Sequence, residues 1–314
     1  MGLRDRENIF KREILEMELC LGTVQFGLDY GIKGQKKPAL SDSVKMLDYA
    51  TQNGICAIDT AEAYGTAEDV VGEFLKKKTV PREQLFLSTK LLPNVLDDQN
   101  VEDYYEIIKK KLSEQLKRMN TDYVDAYILH SARYVFNEEI LDALSEVLKT
   151  GMTKQVGVSV YEPEEAFACM KHPKMSFIQA PYSIFDHRMK DSGVIDRVKD
   201  SNTVLATRSA FIQGLITMDV NEVPVFLEDA KPIIEKIDKL TDETGLSRIQ
   251  LAVGYVKKAQ NISYLVFGVD SISQLKEDIE VFEDDLSDDL YNYIDELFRG
   301  IKAEVVMPSL WKKD

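Results

Sequence analysis

Residues 102–130 read EDYYEIIKKKLSEQLKRMNTDYVDAYILH, and this stretch decides the fold. Tyr105, Ile108, Leu112 and Leu116 recur at three- and four-residue steps, which lines one face of a helix with apolar groups. YVDAYILH (123–130) is then a short apolar run with the composition of a buried strand. Outward from this pair the pattern repeats in both directions. LFLSTK (85–90) and ICAID (55–59) precede it, and CLGT (20–23) opens the series. KQVGVSV (154–160), FIQA (177–180), TVLAT (203–207) and YLVFG (264–268) follow. Amphipathic stretches lie between: SVKMLDYATQ (43–52) puts Val44, Met46, Leu47 and Ala50 on one face. A longer loop after the seventh strand leads to helical stretches at 229–243 and 247–259. A final helix is predicted near 287–300, with Ser287 as its cap and Asp288 and Asp289 in its first turn. Strands alternating with helices imply a parallel sheet under helices, and eight such units imply a closed (β/α)8 barrel. One domain is expected over 1–314, with an N-terminal extension at 1–16 and a C-terminal tail at 301–314.

The bulk numbers agree with such a core. Hydrophobic residues make up 44% of the 314, and 39 Lys and Arg face 54 Asp and Glu, a net charge of −15. That field repels phosphate backbones and anionic lipid, so nucleic acid and membrane surfaces are poor partners. The start, MGLRDRENIFKREILEMELC, has no secretion-signal pattern, and no apolar run is long enough to span a bilayer. Cys20, Cys56 and Cys169 are odd in number and widely spaced, which fits reduced thiols in a cytoplasmic protein and no metal site. The acidic cluster EDDLSDD (283–289) reads as a solvated helix end. The KKK runs at 76–78 and 109–111 read as late in helices, where the dipole favours cations.

In a closed α/β barrel, reactive groups gather where the strands end. Asp59 ends the second strand, Tyr64 follows in DTAEAYG, Lys90 ends the third and His130 the fourth. Each alone has an ordinary explanation: a cap, a half-buried ring, a solvated strand end, a core histidine. Together on one rim they are chemically consistent. A phenol is a sluggish acid at neutral pH unless a neighbouring ammonium stabilises its anion. Asp59 would hold Lys90 charged and in place, and His130 would orient a carbonyl that Tyr64 protonates. Such an apparatus also needs a hydride carrier, which side chains cannot supply.

With these residues in view, the sequence resembles the aldo-keto reductase family over nearly its whole length. LGTVQFG (21–27), DTAEAYG, STK, VDAYILH, GVSVY, IQAPYS, RSAFIQGL and FGVDSISQLKED (267–278) occur in the family's order and spacing. The family's Asp, Tyr, Lys and His fall on Asp59, Tyr64, Lys90 and His130. The resemblance implies a small-molecule carbonyl substrate and NAD(P)H as cofactor. It places the nicotinamide carboxamide at Ser159 and Gln179, with Gly22 and Thr23 beneath the cofactor. The loop 208–214, with Arg208, Ser209, Phe211 and Gly214, would wrap the diphosphate. Gly268, Asp270, Gln274, Glu277 and Asp278 would form the adenosine site.

Three departures from the pattern carry consequences. Val160 stands where many relatives have Asn, which removes one carboxamide hydrogen bond. Arg208 stands where an aromatic ring usually stacks on the nicotinamide, and a cation there would repel the oxidised ring. Asp270 stands where related sequences often have Ser, which favours NAD over NADP. Substrate selectivity is expected in the loops: Phe26 and Tyr30 in the first, Tyr134 in the fourth, Phe185, Asp186, His187 and Arg188 in the sixth. Their mixture of rings and charges suits a hydroxylated, sugar-like carbonyl compound. Trp311 sits in a tail with a functional reading as a cover over the barrel mouth, but packing outside the barrel or staying unordered is the expectation. The competing readings are a cofactor-binding regulatory protein with little turnover and a lyase using Lys90 as a Schiff base. A monomer is expected.

Overall fold

The computed structural model describes residues 17–311. Eight parallel strands close into a barrel in chain order. They are β1 (Glu18–Gly22), β2 (Ala57–Asp59), β3 (Phe86–Leu91), β4 (Val124–Leu129), β5 (Thr153–Ser159), β6 (Phe177–Pro181), β7 (Val204–Arg208) and β8 (Tyr264–Gly268). All eight predicted strands are present, with ends displaced by a residue or two. The largest displacements are of two residues, in β1, which starts at Glu18 rather than at residue 20, and in β2, which starts at Ala57 rather than at residue 55.

The two-residue period of the strands sorts their side chains. Inward-facing Cys20, Ala57, Ala126, Ile128, Phe177, Ala206 and Tyr264 form one cluster inside the barrel. Phe86 lies between two of its rings, 4.7 Å from Tyr264 and 5.7 Å from Phe177. Small residues across from large rings fill the lower barrel, so it is a packed core and no pore. The alternate residues, among them Leu21, Ile58, Leu87, Tyr127, Val156, Ile178 and Leu265, point outward into the larger core shared with the helices. Each such apolar side chain buried stabilises by roughly 1.5–3 kcal/mol against leaving it exposed.

The helices follow their sequence signals, with two corrections. Tyr104–Met119 buries Ile108, Leu112 and Leu116, but also Tyr104 and Gln115, while Tyr105 is only partly covered. Lys109, Lys110 and Lys111 therefore sit mid-helix rather than near its end. Lys231–Thr244 ends at Gly245, whose φ of +72° suits a left-handed cap. Arg248–Lys258 opens with a reciprocal Ser247–Gln250 capping box. Asp288–Leu297 is capped as expected, the Ser287 hydroxyl accepting from the Leu290 N–H. The acids before it pair with the neighbouring helix, Asp285 with Lys257 at 3.0 Å and Asp288 with Lys258 at 2.7 Å.

The N-terminal extension 1–16 lies outside the described residues. Of the tail, residues 301–311 are described and are ordered against the barrel. Val305, Val306 and Met307 are buried, and the Trp311 indole faces Phe226 with ring centres 6.3 Å apart. The tail reaches the mouth of the barrel, where Pro308 and Ser309 line its cavity. No described helix is long and apolar enough to cross a membrane.

Candidate active site

The barrel register brings the C-terminal strand ends to one rim. Gly22 lies beside Asp59 and Gly268, Ser159 beside Gln179, and Pro181 beside Arg208. Above the packed interior a cavity of roughly 470 Å³ opens there, lined by residues of the strand ends, their loops and the tail.

At its floor Asp59 and Lys90 are both buried. The Lys90 ammonium donates to both Asp59 carboxylate oxygens, at 2.8 and 2.7 Å, and to the Thr60 carbonyl at 2.9 Å. The Asp59 carboxylate also accepts from Ser88 Oγ at 2.8 Å and Gln179 Nε2 at 2.9 Å. A paired and fully bonded arrangement is what makes two buried charges tolerable. Burial by itself would push the Lys90 ammonium down, but Asp59 and Tyr64 outweigh it and hold Lys90 above its ordinary range.

Tyr64 lies over this pair, with Lys90 Nζ 4.9 Å from its ring centre. Its loop is fixed by a close approach: a Cβ on Gly27 would lie 1.7 Å from the Tyr64 carbonyl oxygen, so only glycine fits. Burial pushes the phenol above its ordinary pKa, with the Lys90 charge opposing that rise and Asp59 adding to it. The expected lowering by Lys90 is therefore present but does not win, and Tyr64 keeps its proton at neutral pH. His130 meets Tyr64 edge to face, ring centres 5.7 Å apart. Burial, then the charges of Lys90 and Arg208, bring the imidazole down to about 3, so it is neutral at pH 7. Its Nδ1 has no partner among the described residues. The arrangement offers a protonated phenol and a neutral imidazole to one small polar atom between them.

The other predicted residues divide. Gly22, Ser159, Gln179, Arg208, Ser209, Phe211, Gly214, Gly268, Asp270, Gln274 and Asp278 line the cavity. Thr23 lines it as well, but its N–H and hydroxyl both bond the Asp59 carbonyl, at 2.9 and 3.1 Å, so it has no donor left for a ligand. Glu277 is exposed and outside the lining, because the helix Ile272–Glu283 turns Leu275 and Asp278 inward instead. Arg208 lies flat over Tyr161, 4.6 Å from ring centre, and donates to the Val160 carbonyl at 2.9 Å. The loop after it holds Ser209, Ile212 and Gln213 at φ of 68°, 46° and 54°. For a β-branched residue such as Ile212 that conformation is strained, and strain of this kind gathers at ligand loops.

Most of the substrate-loop expectations fail. Phe26 is core. Tyr134 is buried and donates to Asp97 at 2.7 Å. Phe185 packs on Phe298, His187 stacks on Tyr255, and Asp186 is paired by Arg188. None of these lines the cavity, because the sixth loop folds back against the outer helices. Tyr30 does line it, joined by Gln213 of the loop 208–214 and by Gln25, Gln35, Tyr161, Pro308 and Ser309, which sequence reasoning missed. Gln25 and Tyr161 could have been found, since each lies within three residues of a strand end. Pro308 and Ser309 carry no local signal.

The lining fits a nicotinamide dinucleotide. Gln25 Oε1, His130 Nδ1 and both oxygens of Asp278 are buried, unpartnered and at the cavity wall. Buried polar atoms are normally bonded, so orphans in a cavity mark where a ligand's groups go. Asp278 is only 2% exposed, and burial, then the charge of Glu277, raises its carboxyl to about 7. An acid whose folded pKa is raised contributes stability that is whole below about pH 4 and lost as pH rises through about 7. Asp278→Asn is therefore expected to stabilise the ligand-free protein by on the order of 1–4 kcal/mol at pH 8 and to change little at pH 4. Urea unfolding at the two pH values measures it. An equal effect at both would mean that Asp278 does not titrate in this range.

A closed barrel with this four-residue constellation at its mouth is the architecture of a hydride-transfer oxidoreductase. The sequence model of the Aldo/keto reductase family matches residues 18–299, and the chain belongs to that family. It is similar to the aldo-keto reductase YhdN of Bacillus subtilis, with 28% identity across 74% of this chain and 76% of the relative. It is also similar to an NADH-specific methylglyoxal reductase of Escherichia coli, at 26% identity over 75% and 81%. Among solved structures, the holo form of aldo-keto reductase AKR11C1 from Bacillus halodurans shares the fold. Its TM-score is 0.73 at 22% identity, covering 96% of this chain and 99% of that one.

Proposed function

We propose that the chain interconverts a carbonyl compound and its alcohol by hydride transfer, with Tyr64 as the general acid. The observation that carries this reading is the buried, fully bonded Asp59–Lys90 pair under a protonated Tyr64, with neutral His130 beside it. When bound, NAD(P)H supplies the hydride that adds to the carbonyl carbon. The residues do the rest. His130, uncharged, donates one hydrogen bond that orients the carbonyl oxygen. As negative charge grows on that oxygen, the Tyr64 proton moves to it, and the phenolate left behind is stabilised by the Lys90 ammonium. Alcohol and oxidised cofactor result, and Tyr64 regains its proton from water.

In this reading Ser159 and Gln179 hold the carboxamide of the nicotinamide. The loop from Ser209 to Gly214 then wraps the diphosphate, and Asp270, Gln274 and Asp278 bind the adenosine. The Schiff-base alternative loses support from Lys90 itself, whose three ammonium donors are all engaged and which stays charged. The substrate is a small polar carbonyl compound, sugar-like in its hydroxyls: Tyr30, Gln25, Gln35 and Tyr161 offer phenols and amides around the mouth. The chain acts on it as a monomer. A screen of aldehydes and ketones that follows the absorbance of the reduced nicotinamide tests the reading. Tight cofactor binding with no turnover across the panel would replace it with the regulatory one.

NAD(H) is the proposed preference. Asp270 lines the cavity by the adenosine end, and burial raises its carboxyl above the ordinary range. A carboxylate accepts well from a ribose diol and repels a ribose phosphate, and like charges juxtaposed can cost several kcal/mol. The name of the Escherichia coli relative supports NADH use within the family. Asp270→Ser is expected to improve NADPH binding relative to NADH by about tenfold, or 1.4 kcal/mol. Titration of both cofactors decides it, and wild-type protein binding NADPH tenfold tighter would refute the preference.

A further inference from the structure

We propose that Arg208 makes the site discriminate between the redox forms of its nicotinamide, holding the reduced form and expelling the oxidised one, so that the chain works as a reductase. The inference rests on the proposed function above and adds the direction of the reaction to it. Its basis is the charge inventory at the cavity floor. Asp59 and Lys90 cancel each other at 2.7 Å. His130 is neutral, and burial holds both Tyr64 and Tyr30 in their protonated forms. Arg208 has no acidic partner among the described residues: its guanidinium donates only to the Val160 carbonyl and, at 3.3 Å, to Ser209 Oγ. One uncompensated positive charge therefore stands at the reaction centre.

That charge is also fixed in place. The bond to the Val160 carbonyl and the face of Tyr161 hold the guanidinium. The charge is felt at Tyr64, His130 and Tyr30 alike. A hydride can reach a carbonyl carbon whose oxygen lies between Tyr64 and His130 only from a nicotinamide beside that carbon, hence within the reach of Arg208. The oxidised ring carries a positive charge and the reduced ring none. In surroundings of low dielectric the repulsion falls on the oxidised form alone. Product cofactor is thus released readily after reduction, and alcohol oxidation starts from a poorly bound cofactor.

Calorimetric titration of NADH, NAD+, NADPH and NADP+ against the wild-type chain, Arg208→Gln and Arg208→Lys tests this without turnover. Wild type is expected to bind the reduced form of its preferred cofactor at least tenfold tighter than the oxidised form. Arg208→Gln keeps a planar donor for the Val160 carbonyl but removes the charge. It should tighten oxidised binding and shrink the ratio by tenfold or more, a gain of affinity on losing an arginine. Arg208→Lys should keep the ratio, and Arg208→Tyr serves as a second uncharged variant should the Gln protein not fold. Equal weakening of both forms in the uncharged variant would assign Arg208 to the diphosphate and overturn the inference. Unchanged cofactor affinities with a raised KM would assign it to an anionic substrate and overturn it equally. Failure of all four nucleotides to bind wild type would instead overturn the proposed function itself.

Discussion

Tyr64→Phe is expected to lower turnover by a factor on the order of 10² or more while leaving cofactor affinity near the wild-type value. The substitution removes one oxygen and its proton and keeps the ring. The ring is what packs edge to face on His130 at 5.7 Å, so the wall of the cavity should survive. The loss falls on the transition state because the phenol in the resting site holds its proton firmly. Burial raises its pKa, and the proton becomes transferable only as charge builds on the carbonyl oxygen. Water admitted to the gap is a poor substitute, as no covalent frame holds its proton in line with the carbonyl oxygen. Steady-state rates with NADH, a binding titration and a thermal midpoint on the same preparation separate the outcomes. Near-normal turnover by a folded variant would remove Tyr64 from the mechanism. A fall in cofactor affinity of the same size as the fall in rate would make it a binding residue instead.

What the sequence made legible follows from which forces are local. The strands and helices were readable because a barrel strand is apolar on both faces and a covering helix is apolar on one, and both patterns survive in a single chain. The site's lower half was readable for a related reason. Asp59, His130, Ser159 and Arg208 end or directly follow a strand, Lys90 and Gln179 lie within the last three residues of theirs, and closure of the sheet brings all of them to one rim. The upper half was harder, since loops are placed by packing that no period encodes. The sixth loop looked like a selectivity loop because it carries Asp186, His187 and Arg188. The structure instead satisfies those charges among themselves and against the outer helices. Folding of the tail over the mouth is one reading of Trp311, but nothing local marks Pro308 and Ser309 as the residues that reach the cavity, a contact between residues far apart in the chain. Of the residues assigned to the adenosine, Gln274 and Asp278 share a helix face and line the cavity, and Glu277 lies off that face.

Lys90→Met should be the more damaging change, and for two separable reasons. The first is chemical: with no ammonium beneath Tyr64, the phenolate formed on proton transfer loses its counter-charge, and turnover should fall on the order of 10²-fold or more. The alkaline limb of the pH–rate profile should also move upward. Burial and Asp59 both raise the phenol, Lys90 is the leading opposing influence, and its removal leaves only Arg208 opposing them. The second is structural. Lys90 is fully buried, and taking it away leaves the Asp59 carboxylate buried with only Ser88 and Gln179 as donors. Breaking one side of such a pair typically costs about 3–5 kcal/mol. The double variant Asp59→Asn with Lys90→Met distinguishes the two effects, because it removes the stranded charge without restoring the ammonium. It should recover much of the stability lost by Lys90→Met and almost none of the activity. Activity returning together with stability would reduce the pair to scaffolding. Activity retained by Lys90→Met with an unshifted pH profile would do the same for Lys90 alone. Loss of rate that persists in the restabilised double variant is the result that the buried geometry under Tyr64 requires.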